Sequence, residues 1–211
     1  MKQVDASHYR FDRYMDRGRW ASLWHQLDEV LRLQPRNVLE IGPGAGVFKA
    51  VSGALGLHVR TLDPDPELQP DIVGSALSIP LQNGAVDLCC AFQVLEHLPY
   101  ADALAAFAEM RRVARRHVVI SLPDVRPLWY YRVHLPRVGT REWLLPRPFF
   151  RPVEHVFNGE HHWEINKQGY EIARIRGDFG RVAKLVRSFR VPEHSYHHFL
   201  VFDAAAPAGQ Q

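Results

Sequence analysis

Val38-Leu39-Glu40-Ile41-Gly42-Pro43-Gly44-Ala45-Gly46 joins an apolar run to an acid and then to three glycines at alternate positions. The apolar part predicts a buried strand, and the glycines a tight turn into a helix over Val47 to Leu55. Residues without a Cβ let the backbone take φ > 0 and approach a ligand closely. The amides of the following helix N-terminus then point at that ligand. The pattern predicts a nucleotide-type site on an α/β fold. A dinucleotide fingerprint, G-x-G-x-x-G, would need its third glycine where Val47 stands. A phosphate-binding P-loop would need Gly-Lys-Ser or Gly-Lys-Thr, and neither follows.

The remaining pattern, E-x-G-x-G-x-G, resembles the class I S-adenosylmethionine-dependent methyltransferases, and in particular their type 11-like domain. Val59-Arg60-Thr61-Leu62-Asp63 is similar to the family's second strand, which ends in an acid. A carboxylate there accepts hydrogen bonds from both ribose hydroxyls. Asp71 to Leu81 resembles the third strand and the loop beside the adenine, with Ser75 where many relatives carry an acid. Val86 to Phe92 reads as the fourth strand, and Gln93-Val94-Leu95-Glu96-His97-Leu98 resembles the segment after it at the cofactor edge. The resemblance spans about residues 36 to 122 and is looser beyond. It implies S-adenosyl-L-methionine as cofactor, held by Glu40, Gly42, Pro43, Gly44, Gly46, Asp63, Ser75, Ala76, Leu77 and Gln93. It also implies a Rossmann-like, mostly parallel seven-stranded sheet with helices on both faces and an antiparallel C-terminal strand pair.

The chain has 211 residues, 46% of them apolar, and a formal charge of +3. That suffices for one domain with a substantial core and is too mild to argue for nucleic acid. Adjacent Cys89 and Cys90 in an apolar run read as buried, reduced thiols. No signal pattern or bilayer-length apolar run occurs, so the expected location is cytoplasmic. Trp20, Leu23, Trp24, Leu27 and Leu31 recur at helical spacing and end before Pro35. Another helix is expected over 102–116, with Leu104, Phe107, Met110 and Val113 inward. His117 to Leu122 follows as a fifth strand. From Pro123 to about Asn158 the regular pattern stops. Asn166 is a candidate N-cap for a helix carrying Tyr170, Ile172, Ile175 and Phe179. Val182–Val191 and Tyr196–Asp203 read as the closing strands. The expected organisation is one domain over 1–203, with an N-terminal helical cap over 1–34, an inserted lid over 123–163, and a disordered tail over 204–211.

Methyl transfer from a sulfonium is an in-line displacement on an activated cofactor, so orientation and water exclusion supply much of the rate. A base is needed only for an acceptor that must lose a proton. His97 is the candidate base, because histidine titrates near neutrality and this one follows the fourth strand. Its other reading is a ring that hydrogen-bonds loop backbone. His155, His161, His162 and Glu164 lack the spacing of a zinc signature, so no metal is expected from them. Part of Glu160-His161-His162-Trp163-Glu164 is expected to line the pocket, and His155, His161, Trp163 and Arg132 are candidate acceptor contacts. Arg126, Arg132, Arg137, Arg141, Arg147 and Arg151 interleave with Trp129, Tyr130, Tyr131, Trp143, Phe149 and Phe150 around a single acid, Glu142. That segment suits an anionic, glycan-linked or lipid-linked acceptor, a membrane-surface contact, or a solvated lid. Tyr9, Tyr14 and Arg19 are expected near the cofactor. The function expected is methyl transfer to a small or medium acceptor, with oxygen favoured by family frequency. The alternatives are a nucleic-acid or protein methyltransferase, and a non-catalytic cofactor-binding partner subunit. The absence of an Asn/Asp-Pro-Pro-Tyr/Phe motif argues against base methylation.

Overall fold

The computed structural model describes residues 15–205. The first helix, α1 (Arg17–Arg32), is capped by Asp16, whose carboxylate accepts from the Arg19 amide at 2.8 Å. Its buried stripe includes Leu23 and Val30, while Trp20 and Trp24 face outward. There follow β1 (Asn37–Ile41), α2 (Val47–Ala54), β2 (His58–Asp63), the two-residue β3 (Ile72–Val73) and β4 (Val86–Phe92). The order continues with α3 (Tyr100–Val113), β5 (Ala114–Pro123), β6 (Leu128–Leu135), β7 (Gly139–Pro146), α4 (Ile172–Gly180), β8 (Lys184–Arg190) and β9 (His197–Asp203).

Seven of these strands form one sheet in the order β3-β2-β1-β4-β5-β9-β8. β1 to β5 pair in parallel, and β9 lies antiparallel to both β5 and β8. Burial on both faces of the central strands explains their continuous apolar runs. Alternate residues feed two cores. Leu39, Ile41, Cys89, Val118 and Ile120 pack on one face with Phe107 and Met110 of α3 and Phe179 of α4. Val38, Leu88, Cys90 and Val119 pack on the other with Leu23 of α1 and Phe48 of α2. Cys89 and Cys90 therefore point to opposite faces as free, buried thiols.

Three local expectations are corrected. Helix α3 ends at Val113, so Arg115 and Arg116 lie on β5 and not in a helical last turn. Arg115 instead pairs with Asp87 at 2.8 Å, bracing the entry of β4. Asn166 caps no helix: Glu171 precedes α4, and the Asn166 side chain donates to Asp124 at 2.8 Å. The segment after Pro123 is not irregular throughout. β6 and β7 form a separate antiparallel hairpin in which Trp129 pairs with Leu145 and Tyr131 with Trp143. Those four side chains are exposed on one face. On the other face the Tyr130 hydroxyl donates to Glu142, and Arg132 pairs with the same carboxylate. The expectations for Tyr9, Tyr14 and most of the tail fall outside the described residues. Ala204, at the start of that tail, is buried and donates its amide to the Arg116 carbonyl.

Asp124 anchors the root of the hairpin. Its carboxylate, 2% exposed, meets His198 Nδ1 at 2.8 Å and Arg190 at 3.2 Å, and accepts from the Arg126 amide at 3.0 Å. Removing one partner of a buried charge network leaves the others uncompensated. Asp124→Ala should therefore cost about 3–5 kcal/mol, read as a lowered midpoint in urea unfolding. An unchanged midpoint would show that this network does not hold β5 to β8 and β9.

Candidate active site

The sheet order reverses between β1 and β4, and ligands of open α/β sheets bind beyond the carboxyl ends of strands at such a switch point. A cavity of about 730 Å³ opens there, within the range of small-molecule sites. Its inner wall is Glu40 to Ala45 at the end of β1, Asp63 at the end of β2, and Phe92 and Gln93 at the end of β4. Ser75, Ala76 and Leu77 form one side, and Arg19, Leu23 and Gln26 of α1 contribute another. The outer rim comes from His97 and from Phe157, Gly159, Glu160 and His162.

Gly42, Gly44 and Gly46 all have positive φ. At Gly42, with φ +66°, a Cβ would stand 2.7 Å from Val94 Cγ2, so two independent constraints select glycine there. Gly46 N-caps α2. Gln93 is a non-glycine residue with φ 57°, held by its amide to the Ser121 carbonyl at 3.0 Å and by its side chain to Ser121 Oγ at 3.2 Å. Such a conformation persists only where surroundings over-determine it, and it turns Gln93 into the cavity wall.

Three acids differ in their surroundings. Glu40 is buried with Oε2 unpartnered, and burial pushes its carboxyl up to about 8 against the pull of Lys49. Asp63 has one oxygen accepting from the Asp65 amide at 2.8 Å, and burial raises it as well. Glu96 is fully buried within a short 3-10 turn, Leu95–His97, with neither carboxylate oxygen hydrogen-bonded. Burial pushes it up to about 8.

His97 makes its Nδ1 bond to the Glu160 carbonyl at 3.0 Å. Burial lowers its pKa, the Glu160 bond opposing. A carbonyl only accepts, so Nδ1 carries the hydrogen and Nε2 keeps a lone pair. The segment that meets it is fixed by backbone: the His162 amide donates to the Glu96 carbonyl at 2.8 Å. His161 Nδ1 lies 2.8 Å from Glu164 Oε1, and Tyr196 donates its hydroxyl to the same oxygen. Burial works against the charged form of His161, but the Glu164 bond and nearby acids raise its pKa overall.

The cofactor candidates Glu40, Gly42, Pro43, Gly44, Asp63, Ser75, Ala76, Leu77 and Gln93 all line the one cavity, as does His97. Gly46 stands just behind, as the helix cap. The four acceptor candidates are placed elsewhere. Trp163 is fully buried and donates to the Leu98 carbonyl at 3.1 Å, which makes it core. His155 bonds the His161 carbonyl at 2.8 Å. Arg132 sits on the hairpin, and His161 packs behind His97 with ring centres 5.0 Å apart. The residues that do form the outer rim, Phe157, Glu160 and His162, carried no periodic signal. Glu96 stands directly after the apolar pair Val94-Leu95 and is likewise unmarked by any period.

Residues 39–122 match the family described as Methyltransferase domain. Over that stretch the chain is similar to methyltransferase domains. An uncharacterized methyltransferase of Mycobacteroides abscessus is 28% identical over 167 residues, which are 71% of this chain and 58% of that protein. The chain thus spans little more than half the length of that relative. Among solved structures, a protein of Pyrococcus horikoshii OT3 superposes with a TM-score of 0.62 at 11% identity, covering 93% of this chain and 95% of that one. The Burkholderia thailandensis 1,6-didemethyltoxoflavin-N1-methyltransferase, solved with 1,6-didemethyltoxoflavin and S-adenosylhomocysteine bound, gives 0.54 at 17% identity over 88% and 77%. These two likenesses are of fold. No helix among the described residues is long and apolar enough to cross a membrane.

The buried Glu40 makes a pH prediction. Its folded pKa is raised, so the fold binds this proton more tightly than the unfolded chain does. The group's stabilisation is complete below its ordinary value of 4.5 and is lost as pH rises towards about 8. In ligand-free protein Glu40→Gln should flatten the decline in melting temperature between those limits. An identical pH profile in the variant would show that Glu40 is ionised in the fold throughout.

Proposed function

We propose that this protein is an S-adenosylmethionine-dependent methyltransferase whose cofactor occupies the inner cavity and whose acceptor enters past His97 and the 157–162 rim. The observation that carries this reading is the joint placement of Glu40, the glycine loop, Asp63 and Gln93 around one cavity at the switch point. Two details fit the cofactor. Glu40 Oε2 is a buried acceptor with no protein partner, and buried polar groups without partners call for a ligand or water. Gly42 and Gly44 line the cavity with positive φ, so the backbone there meets a ligand with no side chain between them.

In this reading Asp63 accepts from the ribose hydroxyls through the oxygen that Asp65 leaves free. Ser75 to Leu77 border the adenine, with Ser75 Oγ already committed to the Leu77 amide at 3.1 Å. The glycine loop lets backbone approach the cofactor, and the unpartnered Oε2 of Glu40 offers a hydrogen-bonding partner to its polar end. When bound, the cofactor supplies the activated methyl group. The chain's own residues orient the acceptor in line with it and exclude water. His97 is the polar side chain on the acceptor side. Its Nε2 lone pair suits a hydroxyl that must lose a proton, which favours an oxygen acceptor of small or medium size. The depressed pKa keeps the ring neutral and able to accept near neutrality.

Isothermal calorimetry on the purified chain should show S-adenosylmethionine and S-adenosylhomocysteine binding far more tightly than NAD. Asp63→Ala removes charge-assisted hydrogen bonds worth roughly 1.5–3 kcal/mol, so affinity should fall about tenfold or more. Equal affinity in a folded Asp63→Ala protein would remove the ribose assignment. With a hydroxyl acceptor, His97→Asn should lower the single-turnover rate by roughly 10²–10⁴ with cofactor binding kept. Unchanged turnover would remove His97 from the chemistry.

A further inference from the structure

Glu96, His97 and His161 converge from two segments that lie far apart in the chain. One ligating atom from each comes within 4.8 Å of the others. The Glu96 carboxylate is fully buried and neither oxygen has a hydrogen-bond partner. An isolated carboxylate in such a place is costly unless a cation meets it. Both imidazoles are held by their Nδ1 atoms, His97 on the Glu160 carbonyl and His161 on the Glu164 carboxylate. That leaves Nε2 on each ring as the unprotonated nitrogen. Metal-ligating histidines almost always carry this kind of outer hydrogen bond, which fixes tautomer and ring direction. Two imidazoles on one tetrahedral zinc, with Zn–N of about 2.0–2.1 Å, hold their ring centres roughly 5 Å apart. Here the centres are 5.0 Å apart at an interplanar angle of 70°.

We propose that Glu96, His97 and His161 form a binding site for a divalent transition-metal ion at the rim of the cavity. Two imidazoles and one carboxylate favour zinc or a neighbouring first-row ion over magnesium or calcium, which prefer oxygen ligands. Three protein ligands leave a coordination position open, as in catalytic rather than structural zinc sites. Of the three, His97 lines the cavity. The local sequence hid this site, because the His162 amide bond to the Glu96 carbonyl is what brings the segments together. Glu164 acts as a positioning residue, braced by Tyr196. If the methyl-transfer reading holds, the ion takes over the Nε2 lone pair of His97 and an acceptor oxygen completes its coordination. The metal site itself does not depend on that reading.

The test is a titration of chelator-stripped, full-length protein with Co²⁺, followed by its visible d–d absorption, then displacement by Zn²⁺. The wild type should bind one equivalent with the spectrum of a four- or five-coordinate ion. Glu164→Gln should weaken binding about 10–100-fold, and Glu96→Gln or His161→Ala by more. His134→Ala, on the hairpin, should bind as the wild type does. Glu96→Gln replaces a buried carboxyl that has no hydrogen-bond partner, so its metal-free melting temperature should match or exceed that of the wild type, with the zinc-induced rise abolished. Non-saturable binding, equal affinity in Glu96→Gln and wild type, or a zinc-induced rise that survives in both ligand variants would overturn the site. In that case the three residues form only a buried polar cluster. S-adenosylhomocysteine calorimetry on the same samples separates the two claims: cofactor binding without cobalt binding defeats the metal site alone, and the reverse defeats the cofactor reading alone.

Discussion

At Gly42 the backbone leaves β1 with a left-handed φ, and a Cβ there would stand only 2.7 Å from Val94 Cγ2. The rest of the site depends on that contact. On one side of it the chain runs through the glycine loop into α2, lining the inner cavity. On the other side, Val94 leads directly into the short turn that carries Glu96 and His97. The cofactor-side loop and the acceptor-side turn are thus packed against each other through a position that admits only glycine. A larger residue at 42 would push both apart, and the effect would reach His97 without touching it.

Two buried acids, Glu40 and Glu96, have oxygens that the protein leaves without partners. Each carries a desolvation cost that the fold does not offset locally. Such costs gather at functional sites, where strain and unsatisfied groups are resolved by a ligand. Glu40 lines the cavity's inner end and Glu96 lies behind its rim. Their unpartnered oxygens stand at the inner end of the cavity and behind its rim. The hydrogen-bond network of Asp124, His198 and Arg190 shows the contrasting case: equally buried charge, fully partnered, and serving to hold strands together.

The sheet and the inner cavity were legible in the sequence because their chemistry is local. Val38 to Gly46 states strand, acid and turn within nine consecutive letters, and Asp63 ends the next strand by the same logic. The hairpin of β6 and β7 was not read, although Trp129, Tyr131, Val133 and Leu135 alternate at the strand period. Pro136 and the crowd of arginines outweighed that alternation, and a two-stranded hairpin away from the main sheet has no buried face to sharpen its pattern. The acceptor rim was hidden for a different reason. Glu160, His161 and His162 reach the cavity region through the His162 amide bond to the Glu96 carbonyl and the His97 bond to the Glu160 carbonyl, long-range contacts that no local spacing encodes. Trp163 and Glu164, next to them, went to the core and to bracing His161. Adjacent residues in an irregular segment take unrelated roles, and only the fold assigns them.

The most direct test of this account is a crystal structure with S-adenosylhomocysteine bound. The account predicts the ligand in the cavity beyond β1, β2 and β4, with its ribose hydroxyls hydrogen-bonded to Asp63. Its sulfur should point towards the His97 side, with backbone of the Gly42–Gly46 loop in van der Waals contact. A ligand bound elsewhere, or one in this cavity with its ribose away from Asp63, would contradict it.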